Sequence, residues 1–324
     1  MVKKIFYVIT IVLTVVACTS NSKPQKTQQA VSVEFNADSA YKFVKEQVDF
    51  GPRVPGTDEH YSCVKYLQEK LNAYCQEVAL EQGTKTNYEG KQLPICNIIG
   101  RFNPEKKSRI LLCAHYDTRP WADQEEDYDK RMTPIDGAND GASGVGVLLE
   151  VARQLAINQT KIGIDIVFFD AEDMGTPDFY TGMQREDTWC LGSQLWAEQH
   201  KKDAKNYQYG ILLDMVGAPD AVFLKEYFSE EYAQPYLERV WQTARSLGHG
   251  RLFSDRHAYP ITDDHFYINT IAGIPTIDII HYDTQTEQGF APYWHTEADD
   301  MRNISKHTLD AVGKTVLTVV NCEL

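Results

Sequence analysis

Acidic side chains and histidines gather at four places in the chain, in combinations that suit a metal ion. Residues 166–175 begin as an apolar run and end in three acids, Asp170, Glu172 and Asp173. This pattern predicts a buried strand that delivers carboxylates at its carboxyl end, where open α/β sheets place their ligand sites. Three further clusters are expected to converge on the same edge, at residues 115–117, 139–141 and 294–296. Carboxylates and a histidine gathered there indicate a zinc site with a general base beside it.

The candidate zinc ligands are Asp140, Asp173 and His295. Two carboxylates and one histidine would leave a fourth coordination position open, which is the arrangement of catalytic zinc sites. Simpler interpretations exist, because Asp140 could cap the helix that follows it and His295 could be bonded to backbone in a loop. Glu172 is adjacent to Asp173, and beyond the end of a strand neighbouring side chains need not face opposite ways. Glu172 is therefore the candidate to face a substrate while Asp173 binds the metal.

Other titratable residues keep two interpretations open. His115 and Asp117 could be a ligand and its support at a second metal site, or they could be structural. Asp214, which follows a pair of leucines, is a further candidate of the same kind. Residues 263–265 have the sequence Asp-Asp-His, and for Asp264 the interpretation as part of a turn and helix cap is preferred.

Apolar runs with the period of strands alternate with helical patterns, and this alternation predicts the fold. We expect an α/β fold in a single domain, with an open, mostly parallel central sheet and helices on both faces. The long, irregular segment 173–189 is typical of a functional loop at the active edge. The predicted strands are residues 77–80, 95–100, 109–114, 164–169, 210–216, 221–224 and 275–280. The predicted helices begin near residues 38, 61, 145, 191, 232 and 304.

The amino-terminal residues have the layout of an export signal. Lys3 and Lys4 precede an apolar stretch over residues 5–16, which is too short to span a membrane comfortably. Ala17 before Cys18 is typical of a bacterial lipoprotein signal, in which the cysteine is lipidated and becomes the mature N-terminus. An ordinary signal peptide or an uncleaved anchor is the alternative. The expected organisation is a signal peptide over residues 1–17, a flexible tether over 18–33 and a zinc-dependent catalytic domain over 34–324.

Composition limits the partners of the chain. Its 324 residues are 43% hydrophobic, which is ample for a large core, and its formal net charge is −14. An acidic chain does not attract nucleic acid, so no nucleic-acid partner is expected. We expect an exported protein in the periplasm, held at a membrane through the lipid on Cys18. The seven cysteines include no Cys-x-x-Cys pair, so a cysteine zinc site is not expected, although export permits disulfides.

The order of these motifs resembles that of the zinc-dependent aminopeptidase superfamily, and four details point to one branch, the glutaminyl cyclases (glutaminyl-peptide cyclotransferases). Residues 294–296 look like the Trp-His-Thr of that branch, and residues 263–265 are similar to its Asp-Asp-His. Phe290 falls where these enzymes carry Phe, and residues 188–193 resemble the loop that supplies their substrate-side Trp, here Trp189. The motifs occur in the same order as in these enzymes, and together they cover most of the chain. The chain looks like a bacterial form of the animal-type enzymes.

The resemblance implies a reaction in which the N-terminal glutamine of a peptide or protein becomes pyroglutamate and ammonia is released. One zinc ion per chain would polarise the γ-amide, with Glu172 as general acid and base. Asp263, bonded to Asp214, would steady the tetrahedral intermediate and its leaving group. The implied substrate-binding residues are His115, Trp189, Phe290 and Trp294, and the implied zinc ligands are Asp140, Asp173 and His295.

Two other functions fit parts of the pattern. A two-zinc aminopeptidase would use His115 and Asp214 to complete a second metal site, with water as the nucleophile. A catalytically inactive binding protein on the same fold is the third interpretation, and the intact Glu172 and zinc ligands argue against it. Among the ligands, Asp173 departs from the animal-type pattern, in which a Glu stands at this position. The shorter side chain requires the backbone to lie closer to zinc.

Overall fold

A six-stranded sheet forms the centre of the computed structural model, which describes residues 34–158 and 160–322. Cys18, the predicted signal peptide and the predicted tether lie outside these residues. Strands β6 and β7 pair in a separate two-stranded sheet, and the other six strands form the central one. The strands are β1 (Glu77–Thr86), β2 (Gln92–Phe102), β3 (Arg109–His115), β4 (Gly163–Phe169), β5 (Tyr207–Asp214), β6 (Phe223–Lys225), β7 (Phe253–His257) and β8 (Thr276–Ile280).

The strand order in the central sheet is β1-β2-β4-β3-β5-β8. The pairs β3–β4, β3–β5 and β5–β8 are parallel, whereas β1–β2 and β2–β4 are antiparallel. Every residue of β3 and β4 is buried, because apolar layers cover both faces of these central strands. The sheet is therefore mostly parallel, as predicted.

Helices pack on both faces of the sheet, which confirms the predicted fold class. The main core joins Ile110 and Leu112 of β3 to five helices, and Leu111 and Cys113 point to a second core on the opposite face. This alternation is the two-residue period of a central strand. No helix among the described residues is long and apolar enough to cross a membrane. The helices are α1 (Ala37–Val48), α2 (Asp58–Tyr74), α3 (Ala142–Ile157), α4 (Leu191–His200), α5 (Tyr227–Ser246), α6 (Asp264–Tyr267) and α7 (Lys306–Cys322).

Helix α3 begins in close contact with the sheet, and a glycine permits the approach. A Cβ atom on Gly144 would lie 2.2 Å from the carbonyl oxygen of Leu213, which is closer than any real Cβ contact. Because Gly144 has no side chain, the first turn of α3 can lie directly against β5. This contact places Asp140, two residues before α3, beside the carboxyl end of the strand.

Several element boundaries differ from the predicted ones. Strands β1 and β2 are longer than expected, at 10 and 11 residues, because β1 is polar and half-exposed and shows no apolar run. Helix α5 begins at Tyr227, five residues before the predicted start, and contains Pro235 with a non-helical Ala233 before it. The predicted helix already spans the proline, so the difference is confined to residues 227–231. Strand β7 and helix α6 were not predicted, because both are short.

Candidate active site

Three adjacent strands bring the predicted side chains to one edge of the sheet. Strands β4, β3 and β5 are neighbours and run parallel, so their carboxyl ends meet. His115 is the last residue of β3, Asp214 is the last residue of β5, and Asp170 directly follows β4. The convergence that the sequence predicts is therefore present in the fold.

Asp140, Asp173 and His295 form a buried group whose candidate ligand atoms all lie within 4.8 Å of one another. Nε2 of His295 is 3.1 Å from Oδ1 of Asp173 and 3.6 Å from Oδ2 of Asp140. Neither carboxylate oxygen of Asp173 has a hydrogen-bond partner among the described residues, although both are buried. A buried carboxylate without hydrogen bonds is strongly unfavourable unless positive charge lies near it, as Arg119 does at 3.6 Å and as a bound cation would. Two oxygen donors and one imidazole fit zinc with an open position.

Further carboxylates hold the segments that carry these ligands. Asp117 accepts hydrogen bonds from the backbone N–H groups of Glu172 at 3.0 Å and Asp173 at 3.2 Å. Asp299 does the same for the N–H groups of Asn139 at 2.8 Å and Asp140 at 2.9 Å. Both acids are buried, and each fixes the backbone beside a candidate ligand. Asp117 was a candidate for such support, whereas nothing in the sequence marked Asp299.

His115 lies beneath the site rather than on its wall. The resemblance placed His115 with the substrate, but the residue is only 1% exposed and does not line the cavity. Its Nε2 is 3.0 Å from Oδ1 of Asp140 and 3.1 Å from Oδ1 of Asp214. Burial lowers the pKa of His115, but the nearby carboxylates of Asp117, Asp140 and Asp214 outweigh it and hold the pKa well above its usual value. In this structure His115 bridges the acids of the site, and its role toward a substrate stays a prediction.

The ligand group opens into a cavity of about 340 Å³. Trp294 stacks on His295 with ring centroids 3.6 Å apart, and Phe290 packs on Trp294 at 4.7 Å. The ring of Trp189 is nearly parallel to the ring of His295, with centroids 6.1 Å apart. These three aromatic residues line the cavity together with Glu172, Asp214 and Asp263. Sequence reasoning had assigned all six of them to the site.

Arg119 was not singled out from the sequence, yet it supports both the ligands and the cavity wall. Its guanidinium group lies 4.5 Å from the ring centroid of Trp189 and donates to the carbonyl of Asp173 at 3.0 Å. It also pairs with Asp123, whose Oδ1 is 3.3 Å from Nδ1 of His295. Asp123 thus orients the candidate ligand histidine, as carboxylates commonly do behind zinc-bound imidazoles. The arginine lies 54 residues from Asp173 along the chain, so no local pattern reveals the contact.

Several buried carboxyl groups surround the inner end of the cavity. Burial raises the pKa of Glu172, Asp264 and Asp278 well above their usual values. A charge on one of these neighbouring buried carboxyl groups disfavours ionisation of the others. A carboxylate oxygen of Asp263 lies within 4.8 Å of one of Asp278, although neither Asp278 oxygen has a hydrogen-bond partner among the described residues.

The interpretation of Asp264 as a turn and cap residue is wrong. The N-cap of α6 is Asp263, and Asp264 is fully buried with no hydrogen-bond partner for either carboxylate oxygen among the described residues. An Asp-Asp pair before a helix usually places the second acid in solvent. Here the short helix packs against α4, which buries its first turn.

Comparison with known proteins supports the likeness that the motifs indicated. Residues 97–320 match the sequence profile of Peptidase family M28. Bacteroides thetaiotaomicron glutaminyl cyclase, solved with N-acetylhistamine bound, is 52% identical with a TM-score of 0.86, over 89% of this chain and 98% of that one. A Zn-dependent exopeptidase from Parabacteroides distasonis is 49% identical with a TM-score of 0.87, over 90% of this chain and 99% of that one. The glutaminyl-peptide cyclotransferase of Boiga irregularis is 24% identical over 298 residues, 83% of this chain and 76% of the relative.

Proposed function

Because the chain belongs to peptidase family M28, we propose that it uses this fold to convert N-terminal glutamine of peptides or proteins to pyroglutamate, with release of ammonia. One observation carries the proposal. The cavity joins a three-ligand group to Glu172 and to an aromatic wall of Trp189, Phe290 and Trp294. The similarity to solved bacterial glutaminyl cyclases over nearly the whole of their length supports it.

The proposed cofactor is one zinc ion per chain, held by Asp140, Asp173 and His295. When bound, zinc supplies a Lewis acid for the γ-amide carbonyl of the substrate. Two contacts support this role: Asp117 accepts a hydrogen bond from the backbone N–H of Asp173, and Asp123 lies 3.3 Å from the ring of His295.

Glu172 is the proposed general base and acid. It lines the cavity beside Asp173, and its backbone N–H is held by Asp117. The substrate brings its own nucleophile, the α-amine, so Glu172 would take a proton from the amine and return it to the departing ammonia. Burial raises the pKa of the Glu172 carboxyl, and a raised pKa supports a role in proton transfer.

The remaining cavity residues would orient the substrate. Closure of a five-membered ring requires the α-amine to lie over the γ-carbon, and a narrow aromatic pocket favours that conformation over extended ones. Trp189, Phe290 and Trp294 provide flat aromatic walls in the cavity that His295 also lines. Asp263 and Asp214 lie at the inner end, where the leaving group would be stabilised by hydrogen bonds.

The test is incubation of the purified protein with a peptide that begins with glutamine. We expect one molecule of ammonia per peptide and a mass decrease equal to ammonia. Elemental analysis of the same sample should give about one zinc per chain, with loss of zinc in His295→Ala but not in His257→Ala, which is exposed.

A two-zinc aminopeptidase is the second candidate, because His115, Asp140 and Asp214 form another group with ligand atoms within 4.8 Å. In that case the same incubation would release free glutamine and leave a shortened peptide. The protein would then hold about two zinc ions per chain. If neither pyroglutamate nor free glutamine is formed and the protein binds no zinc, the chain is an inactive binding protein.

A further inference from the structure

Cys190 is a buried thiol without a role in the proposed reaction, and it contacts the side chain on which the reaction depends. The residue is fully buried, and its Sγ atom lies 3.1 Å from Oε1 of Glu172. Burial raises the pKa of this thiol well above its usual value, so the proton stays on sulfur. The thiol is therefore the donor and the Glu172 carboxylate is the acceptor.

Backbone contacts hold the two residues together independently of their side chains. The N–H of Cys190 donates to the carbonyl of Glu172 at 2.8 Å, and the N–H of Leu191 donates to the carbonyl of Ala171 at 3.1 Å. Cys190 and Ala171 both have left-handed backbone, with φ of 55° and 54°. Residues other than glycine adopt this conformation only where the surrounding structure fixes it. The thiol is thus kept at a set distance from the carboxylate.

The contact also decides which oxygen of Glu172 faces the cavity. Among the described residues, the Cys190 thiol is the single hydrogen-bond donor to the Glu172 side chain. The last torsion of a glutamate is broad, so a carboxylate without such a bond would sample many orientations. With Oε1 held by sulfur, Oε2 is left for the cavity that Glu172 lines.

We propose that Cys190 is a positioning residue that fixes the orientation of the Glu172 carboxylate for proton transfer. The inference rests on the proposed cyclisation, in which Glu172 must present one oxygen to the α-amine and then to the departing ammonia. Because Cys190 does not line the cavity and is not one of the proposed zinc ligands, its loss should slow the chemical step without weakening substrate binding.

The kinetic test compares three variants. Cys190→Ala removes the donor, Cys190→Ser keeps a donor of similar size, and Cys63→Ala removes an equally buried thiol from the core. We expect Cys190→Ala to lower kcat about tenfold, the scale of one hydrogen bond, with KM and zinc content unchanged. Cys190→Ser should recover most of the lost kcat, and Cys63→Ala should change neither constant. Wild-type kcat in Cys190→Ala, or equal defects in the Ala and Ser variants, would overturn the proposal.

An infrared measurement tests the hydrogen bond without any activity. The S–H stretching band falls in a region free of other protein bands and moves to lower frequency when the thiol donates. The Cys190 band is isolated by subtracting the spectrum of the matching Cys190→Ala protein. We expect it to move to higher frequency in Glu172→Ala, because the acceptor is gone. An unchanged band would refute the contact, whereas a shifted band in a protein without cyclase activity would refute the proposed function alone.

Discussion

Asp173 is the candidate ligand at which this chain differs from the animal enzymes that it resembles. Its backbone is held from two sides, by the Asp117 carboxylate at 3.2 Å and by the Arg119 guanidinium at 3.0 Å. These contacts fix the position of the Asp173 backbone, as a ligand shorter than Glu would require. The Arg119 guanidinium also lies 3.6 Å from the Asp173 carboxylate itself.

We predict that Asp173→Glu binds zinc more tightly than Asp173→Asn. The longer acid restores the animal-type ligand and keeps the negative charge, whereas the amide loses it. Asp173→Asn should lose at least about 10–100-fold in zinc affinity, since even supporting contacts are worth that much. Competition with a chelator gives both affinities. Equal values in the two variants would mean that Asp173 is not a ligand.

Glu172→Gln should keep the fold and the zinc but lose nearly all turnover. A glutamine side chain has a similar shape but cannot accept and return a proton, so kcat should fall by about 10²–10⁴-fold. Zinc content should not change, because Glu172 is not in the ligand group. Cyclisation and zinc are measured on the same sample, with the exposed Glu105→Gln as control. More than about a tenth of wild-type kcat at full zinc content would contradict the proposed role.

Residues were predictable from the sequence where a local pattern marks them. Asp140 lies before a helical pattern, and Glu172 and Asp173 end an apolar run, so each stands out within a few residues. Asp299 and Cys190 act through contacts with segments 160 and 18 residues away. Such contacts depend on how the elements pack, which a single sequence does not show.

At the scale of elements, the first turn of α4 connects the end of β4 to the cavity wall. A Cβ atom on Gly192 would lie 2.2 Å from the carbonyl oxygen of Asp170 and 2.6 Å from Oδ1 of Asn97. The glycine therefore allows α4 to begin directly on the strand end. Trp189 and Cys190, which precede the helix, owe their positions to this close approach.

We predict that Gly192→Ala destabilises the fold by roughly 1–3 kcal/mol, because neighbouring backbone must move to admit the methyl group. It should also lower kcat, because Trp189 and Cys190 move with the helix start. The control is Gly250→Ala, where the nearest atom is a side-chain carbon of Arg245 at 3.3 Å. Urea unfolding gives both stabilities. Similar losses in the two variants would show that the contact at Gly192 is not tight.

The central elements followed from sequence because each contains a clear apolar run. β3 and β4 are mostly apolar and buried throughout, which is the pattern of strands covered on both faces. The hairpin of β1 and β2 has one polar strand whose pairing is fixed by backbone hydrogen bonds rather than by apolar side chains.

At the scale of the whole molecule, we propose that the mature protein is held at a membrane through a lipid on Cys18. The proposal rests on the order of the first 18 residues, in which two lysines precede an apolar stretch that ends in Ala17 and Cys18. We predict that the wild type sediments with membranes and that Cys18→Ser is recovered in the soluble fraction. Cleavage of the signal must be checked by mass, since an uncleaved apolar stretch would itself hold the chain. Unchanged sedimentation of a cleaved Cys18→Ser protein would contradict the anchor.

The stability of the whole fold should depend on the pH through a buried histidine outside the candidate active site. His281 follows β8, is 7% exposed, and lines a second cavity of about 430 Å³. Its Nδ1 atom is buried and has no hydrogen-bond partner among the described residues. Burial lowers the pKa of His281 below its usual 6.5, against the opposing effect of Asp283 and Asp220. The folded protein therefore binds this proton more weakly than the unfolded chain does.

The sign of the effect follows from that difference. Above pH 6.5 the histidine is neutral in both states, so its contribution to stability is fully present there. As the pH falls below 6.5 and through the lower folded value, the unfolded state gains the proton first and stability is lost, by about 1.4 kcal/mol for each unit of pKa difference.

We predict that His281→Gln loses less unfolding free energy than the wild type between pH 8 and pH 5, since glutamine does not titrate. Urea unfolding of both proteins at the same zinc concentration measures this, and contributions from the zinc ligands cancel in the comparison. Identical pH dependence of the two proteins would show that His281 has the same proton affinity in the folded and unfolded states.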